Sequence, residues 1–199
     1  MADLLPWVFT SGWASGVNAY AVVLALGLLG RFAGVDAVPP ALERTDILIG
    51  AAVLYGMEFV ADKIPLIDST WDAVHTAIRP AIGAAIGLLL AGEASNLQQA
   101  LAAAAGGLTA LASHAVKAGL RAAVNTSPEP ASNMAVSVAE DATVAGVISL
   151  AVVAPWVAAG IAAVLLAIGI TLVVALASRI RRARQRRRAA RDTTLQRIP

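Results

Sequence analysis

The chain reads as an all-α polytopic membrane bundle of about six helices, and three observations lead there. Charged residues make up 14% of the 199 and hydrophobic residues 58%, with mean hydropathy +0.74, whereas soluble domains run near about 25% charged. A chain of this size cannot hide so much apolar surface inside itself. The uncharged stretch Val157–Ala177 is long enough to cross the hydrocarbon as a helix. Elsewhere, polar residues recur at helical spacing inside otherwise apolar stretches.

The elements follow in order. The opening Met1–Trp7 lacks a basic region before an apolar run, so it does not resemble a cleaved leader, and the first membrane helix is expected to act as the insertion signal. The Gly/Ser-rich Thr10–Gly16 introduces a helix over 14–33, and Pro39-Pro40 marks a loop. Further helices are expected at 46–63, 71–91, 96–124, 131–153 and 156–183. The connections at Gly92–Asn96 and Pro155 are tight.

Charge is segregated along the chain. Nine of the fifteen basic residues fall in Arg179–Arg197, and the remainder is net acidic. This divides the chain into a membrane domain, 1–178, and a basic tail, 179–199. Arg179, Arg181, Arg182, Arg184, Arg186, Arg187 and Arg188 directly follow an apolar helix, a position suited to anionic lipid headgroups and to fixing the cytoplasmic side. Nucleic acid is not the expected partner. Six crossings would put both termini in the cytoplasm, with Lys63, Arg79, Lys117 and Arg121 near the same face; five helices plus one re-entrant segment is the competing count.

The polar residues form stripes. Tyr55, Glu58 and Asp62 stand at i, i+3, i+7, one face of a helix. Asp72, His75 and Arg79 repeat the spacing, as do His114, Lys117 and Arg121. Asn133, Ser137 and Glu140, with Asp141 beside it, give i, i+4, i+7. A charge in hydrocarbon costs roughly 2.5–3.5 kcal/mol even on a lenient scale, so these faces should meet one another or water. The signs complement, which suggests two related helical hairpins, 46–91 and 96–153, docking through them. The loop 125–133 offers Asn125, Ser127, Glu129 and Asn133 as further ligands, or serves simply as a proline-stiffened connection.

Chemistry is bounded more by absence. There are no cysteines, which excludes disulfides and thiolate sites. No zinc-binding histidine motif or phosphate-binding loop occurs, so no metal or cofactor is expected. Gly106-Gly107 reads as close helix packing.

Several segments together resemble a family of small bacterial multi-pass membrane proteins known only as a domain of unknown function. They are Gly16-Val-Asn-Ala-Tyr20, Glu58-Phe-Val-Ala-Asp-Lys-Ile-Pro65, Trp71–Pro80, Ser127–Asn133 and Glu140-Asp141. The resemblance covers roughly 10–160, leaves out the tail, and implies an inner-membrane location; it also draws in Asn18. It supplies no activity.

Two functions compete. In the first, the polar cluster is the path of a transporter or channel-like protein for a small ion or solute, with His75 and His114 changing charge near neutral pH. In the second, the ion pairs only hold the bundle together and the tail recruits a partner or anionic lipid. No catalytic motif points to an enzyme. The small-residue stretches Leu101–Gly107 and Gly160–Gly169 would suit a homo-oligomer.

Overall fold

A computed structural model describes residues 4–124 and 130–195, without the side chains of 65–66, 130–133 and 186–195. Among the described residues the fold is all-helical: α1 (Leu4–Ala33), a 3-10 turn (Pro40–Glu43), α2 (Thr45–Ala61), α3 (Pro65–Ala91), α4 (Asn96–Val124), α5 (Pro130–Val153) and α6 (Pro155–Leu195). Proline at the first turn of α3, α5 and α6 sets φ for a helix start, where its missing N–H is not needed. Gly92, at φ 53°, ends α3 in a conformation open to glycine. Four helices carry stretches long and apolar enough to cross a membrane: Leu4–Ala33, Ile67–Ala91, Met134–Val153 and Pro155–Gln185.

Length misleads for α1, because it is broken. Asn18 takes φ −150°, ψ 98° inside it, dividing it into half-helices 4–17 and 19–33. Leu4 and Val8 pack with Leu90, Ala91, Ala94 and Ala102, so the first half begins at the turn between α3 and α4. The second half ends where α2 begins: Arg31 donates to Thr45 Oγ1 at 2.8 Å, and Gly27 lies against Leu42 and Leu48. From there α2 runs to Asp62, which meets Lys117 and Arg121 near the C-terminal end of α4. Both ends of α1 therefore lie at the same end of the bundle. It is re-entrant, reaching mid-depth at Asn18 and turning back.

Two expectations are corrected. The Thr10–Gly16 stretch is not a lead-in but buried helix, and α1 starts at Leu4 rather than 14. Likewise α3 starts at Pro65 rather than 71. The end-to-end runs are then α2 through α6, the arrangement of the competing count with one re-entrant segment, and Leu4 and the start of the basic tail lie at opposite ends of the bundle. The chain has no cysteine, which makes the point simple to check with an impermeant thiol reagent. Leu5→Cys and Asp36→Cys should label from one face of the membrane, and Gln185→Cys from the other. Labelling of Leu5→Cys and Gln185→Cys from a common face would overturn the re-entrant arrangement.

The two expected hairpins pack differently from expectation. Helices α2 and α3 barely touch, and neither do α4 and α5; the tight pair is α3 with α4, and α1 lies at the centre against every other helix. Small residues allow this. A Cβ on Gly106 would meet the carbonyl of Gly83, and one on Gly16 the carbonyl of Ala110, so the backbones of α1, α3 and α4 approach as closely as glycine permits. The glycines expected to face another subunit are thus largely used within the chain. Gly106 faces α3, Gly107 faces Ala84 and Gly169 faces Val116, while Gly160 alone of these meets open space.

Trp7, Trp13, Val22, Leu26, Ile86, Ile148 and Ala151 form one core on the side of the bundle where α1 begins and ends. Helix α6 runs parallel to α4, with Gly169 by Val116 and Val173 by Gly119. Its 41 residues extend about 60 Å, roughly twice the hydrocarbon thickness. Arg179 and the helical turns after it therefore project beyond the bundle, at the end where α4 terminates.

Candidate functional site: a charge network around a broken helix

The break in α1 leaves backbone groups to satisfy. Asn18 caps the second half-helix: its Oδ1 accepts from the N–H of Ala21 at 2.9 Å, and its amide donates to Asp141 Oδ1 at 2.9 Å. The carboxylate of Asp141 thus sits at a helix N-terminus, where negative charge is favoured. The first half-helix presents its final carbonyls to cations. Lys117 Nζ donates to the Val17 carbonyl at 3.0 Å, and Arg79 to that of Gly16 at 3.5 Å.

Arg79 lies about 21 Å along α3 from Pro65, near the middle of the helix, and is fully buried. It donates to Glu58 Oε1 and Asp72 Oδ1, each at 2.9 Å. Lys117 reaches Asp62 Oδ2 at 2.8 Å, with Glu58 and Glu140 at 3.7 Å. Arg121 pairs with Glu140 Oε2 at 2.7 Å, donates to the Asp62 carbonyl at 3.0 Å and has Asp68 Oδ1 at 3.9 Å. The stripes on α2 to α5 thus converge, with Arg79–Glu58 and Arg121–Glu140 pairing inside the expected hairpins and Lys117–Asp62 joining one to the other.

The histidines are fixed by their neighbours. A backbone carbonyl only accepts, so His75 Nδ1 carries the proton it donates to Trp71 O (2.8 Å), and its Nε2 shares a hydrogen bond with the Tyr20 hydroxyl (3.0 Å). Its ring stacks on Trp71 at 4.6 Å. A guanidinium only donates, so His114 Nδ1 accepts from Arg79 (2.6 Å) and its Nε2–H goes to Thr76 Oγ1 (3.1 Å). Thr76 in turn donates to the Asp72 carbonyl. With Nδ1 accepting from a guanidinium, the His114 imidazole is neutral in this arrangement. The proton-accepting capacity lies instead with the carboxylates: Glu58 Oε2 and Asp141 Oδ2 are buried without a hydrogen-bond partner among the described residues.

Among the described residues, six carboxylates (Glu58, Asp62, Asp68, Asp72, Glu140 and Asp141) face three buried cations. The nearest further cation, Lys63, turns away at the rim, bonding the Phe59 carbonyl at 2.8 Å with its Nζ over the Phe59 ring. Tyr55 stands at the edge, half-buried, its ring tilted against Phe59. Ser137 is buried on the α5 face. Asn125, Ser127 and Glu129 lie outside the described residues, as do the side chains of Asn133, Arg186, Arg187 and Arg188. Arg179, Arg181, Arg182 and Arg184 are exposed along α6, away from the network.

Among the described residues, openings reach the cluster from two directions. A cleft of about 270 Å³ between the N-terminal part of α3 and the C-terminal part of α4 has alanines in its wall together with Ser69, Asp72, Thr76 and Arg121. An apolar pocket of about 320 Å³ opens among α1, α4, α5 and α6, with Lys117 and Glu140 in its wall. The core beneath the α1 turn closes the other direction.

A family model described as a domain of unknown function (DUF4126) matches residues 5–175. The chain belongs to the DUF4126 family. No curated protein and no solved structure matches this DUF4126 chain. The match extends beyond the motif-bearing 10–160 at both ends and takes in the whole network, while the Arg-rich tail lies past it.

Sequence reasoning missed Tyr20, Thr76 and Asp68 as members of the network, and the two free carbonyls at the break. Asp68 had a signal, since it extends the stripe Asp72, His75, Arg79 by one turn. Asn18 with Gly16 two residues earlier was the only trace of the break.

Proposed function

We propose that this DUF4126 protein is a transporter or channel-like protein of the cytoplasmic membrane that handles a small cation or solute by proton exchange at the buried network. The observation that carries this reading is the charge imbalance around the broken helix. Among the described residues six carboxylates stand against three buried cations, and Glu58 and Asp141 each keep a buried oxygen without a partner there, an arrangement that calls for protons or a mobile cation because unpaired charge costs several kcal/mol. A discontinuous helix that turns at the middle of the bundle is how secondary transporters expose backbone polarity to a site. The cleft beside Asp72 and Arg121 gives a route from one face, and the α1 core seals the other. By the positive-inside rule the basic tail marks the open face as cytoplasmic; the start of α1 then lies on the opposite face, and the exposed arginines of α6 meet anionic headgroups.

The test is flux in proteoliposomes enclosing a pH dye, challenged in turn with Na⁺, K⁺ and small amines under an imposed pH gradient. The wild type should move protons faster than empty vesicles with at least one of them. Glu58→Gln should fall to the empty-vesicle rate, while His75→Gln and His114→Gln retain flux.

One observation favours the structural reading: Arg79, Lys117 and Arg121 are each paired with carboxylates, as in helix–helix glue. Wild-type vesicles that behave as empty ones with every cation would favour it, and would move attention to the tail as the binding element for a partner.

A further inference from the structure

The pocket among α1, α4, α5 and α6 has no part in the network's internal pairing, yet it ends on it. Its walls are apolar, including Val116, Leu120, Leu166 and Leu172, and Trp13 lies at its inner side. It exists because α4 and α5 scarcely touch, and α6 bridges them from outside. Two polar residues of the wall belong to the network, Lys117 and Glu140. The side chain of Lys117 is 2% exposed and held by Asp62, whereas that of Glu140, at 18%, is the most exposed ion-pair partner of the buried cations. A molecule in this pocket therefore meets an oily cavity whose accessible charge is a carboxylate, backed by an anionic surplus.

We propose that this pocket binds a hydrophobic organic cation, an ammonium- or phosphonium-type ion with an apolar body, whose charge displaces a proton from the carboxylate network. The inference rests on the transporter reading and names its substrate class. The chemistry is complementary on both counts. The apolar body gains burial in proportion to the surface removed from water, and the cation relieves an imbalance that protons otherwise fill. A neutral lipid tail satisfies only the first, and an organic anion is repelled.

Purified protein in nanodiscs, titrated with tetraphenylphosphonium, tests this directly. Quenching of tryptophan fluorescence reports occupancy beside Trp13, and a dye in weak buffer reports protons released. The expected result is saturable binding with proton release, and no comparable binding of tetraphenylborate, the anion of the same shape. Glu140→Gln should weaken binding about ten- to a hundredfold, the range for losing a contact to a charged group. Since that variant also loses a partner of Arg121, Leu166→Trp provides a second one, filling the pocket with the network intact and blocking binding. Equal affinity for borate and phosphonium, binding without proton release, or indifference to Leu166→Trp would each overturn the inference. Binding and flux fail separately. Saturable phosphonium binding with inert vesicles keeps the site and removes transport; flux with inorganic ions but no phosphonium binding does the reverse.

Discussion

Arg79→Met is expected to destabilise the solubilised protein by about 3–5 kcal/mol, the range for removing one partner of a buried ion pair. The guanidinium bonds Glu58, Asp72 and His114 and is wholly inaccessible. Without it, two carboxylates face each other in an apolar bundle, and the carbonyl of Gly16 loses a donor. Thermal or denaturant unfolding followed by tryptophan emission measures the loss. If the cost comes from stranded charge rather than lost volume, adding Glu58→Gln and Asp72→Asn to Arg79→Met should recover a large part of it. Equal stability of the single and triple variants would show that packing, not charge, holds this centre. Arg79→Lys should fall between, since an ammonium carries the charge but not the planar fork that reaches both partners at once.

Gly106→Leu should have an effect of similar size for a different reason. Even the first added carbon would meet the carbonyl of Gly83, and that neighbour is backbone in a packed helix, which cannot swing aside. Overpacking costs typically about 1–3 kcal/mol when side chains can adjust; here α3 must separate from α4, so the upper end or beyond is expected. The control is Gly50→Ala in α2, where an added methyl meets nothing within 4 Å. That change should be neutral or raise stability by up to about 1 kcal/mol through helix propensity. Comparable losses at both positions would mean that α3 and α4 are not in backbone contact at Gly106.

The stripes were legible in the sequence because a helix repeats every 3.6 residues. Glu58 with Asp62, or Lys117 with Arg121, announces a shared face whatever the neighbours are. Which face meets which is another matter: Lys117 finds Asp62 across helices, and spacing within one helix holds no information about that. The expected close packing of α2 on α3 and of α4 on α5 therefore failed, since α3 packs on α4 instead, while charge complementarity held. The re-entrant α1 was hidden for a related reason. A turn-back needs one residue out of helical geometry, and Asn18 in an apolar run looks like any lone polar side chain until Ala21 and Asp141 are seen to bond it. The direction of α1 decides which end of the bundle Leu4 occupies, so this one residue bears on the choice between six crossings and five with a re-entrant segment.

The broken helix also dictates a timetable for biogenesis. The carbonyls freed at Gly16 and Val17 are bonded by residues 63 and 100 positions later in the chain. When α1 leaves the ribosome, neither Arg79 nor Lys117 has been made. Its half-helices cannot settle in lipid with those groups bare, and must wait at the interface or beside the translocon. Arg79, for its part, arrives on a helix that needs α1, α2 and α4 before its charge is covered. Insertion of this protein is then not a sequence of independent crossings but a single late closure, completed once α4 has emerged.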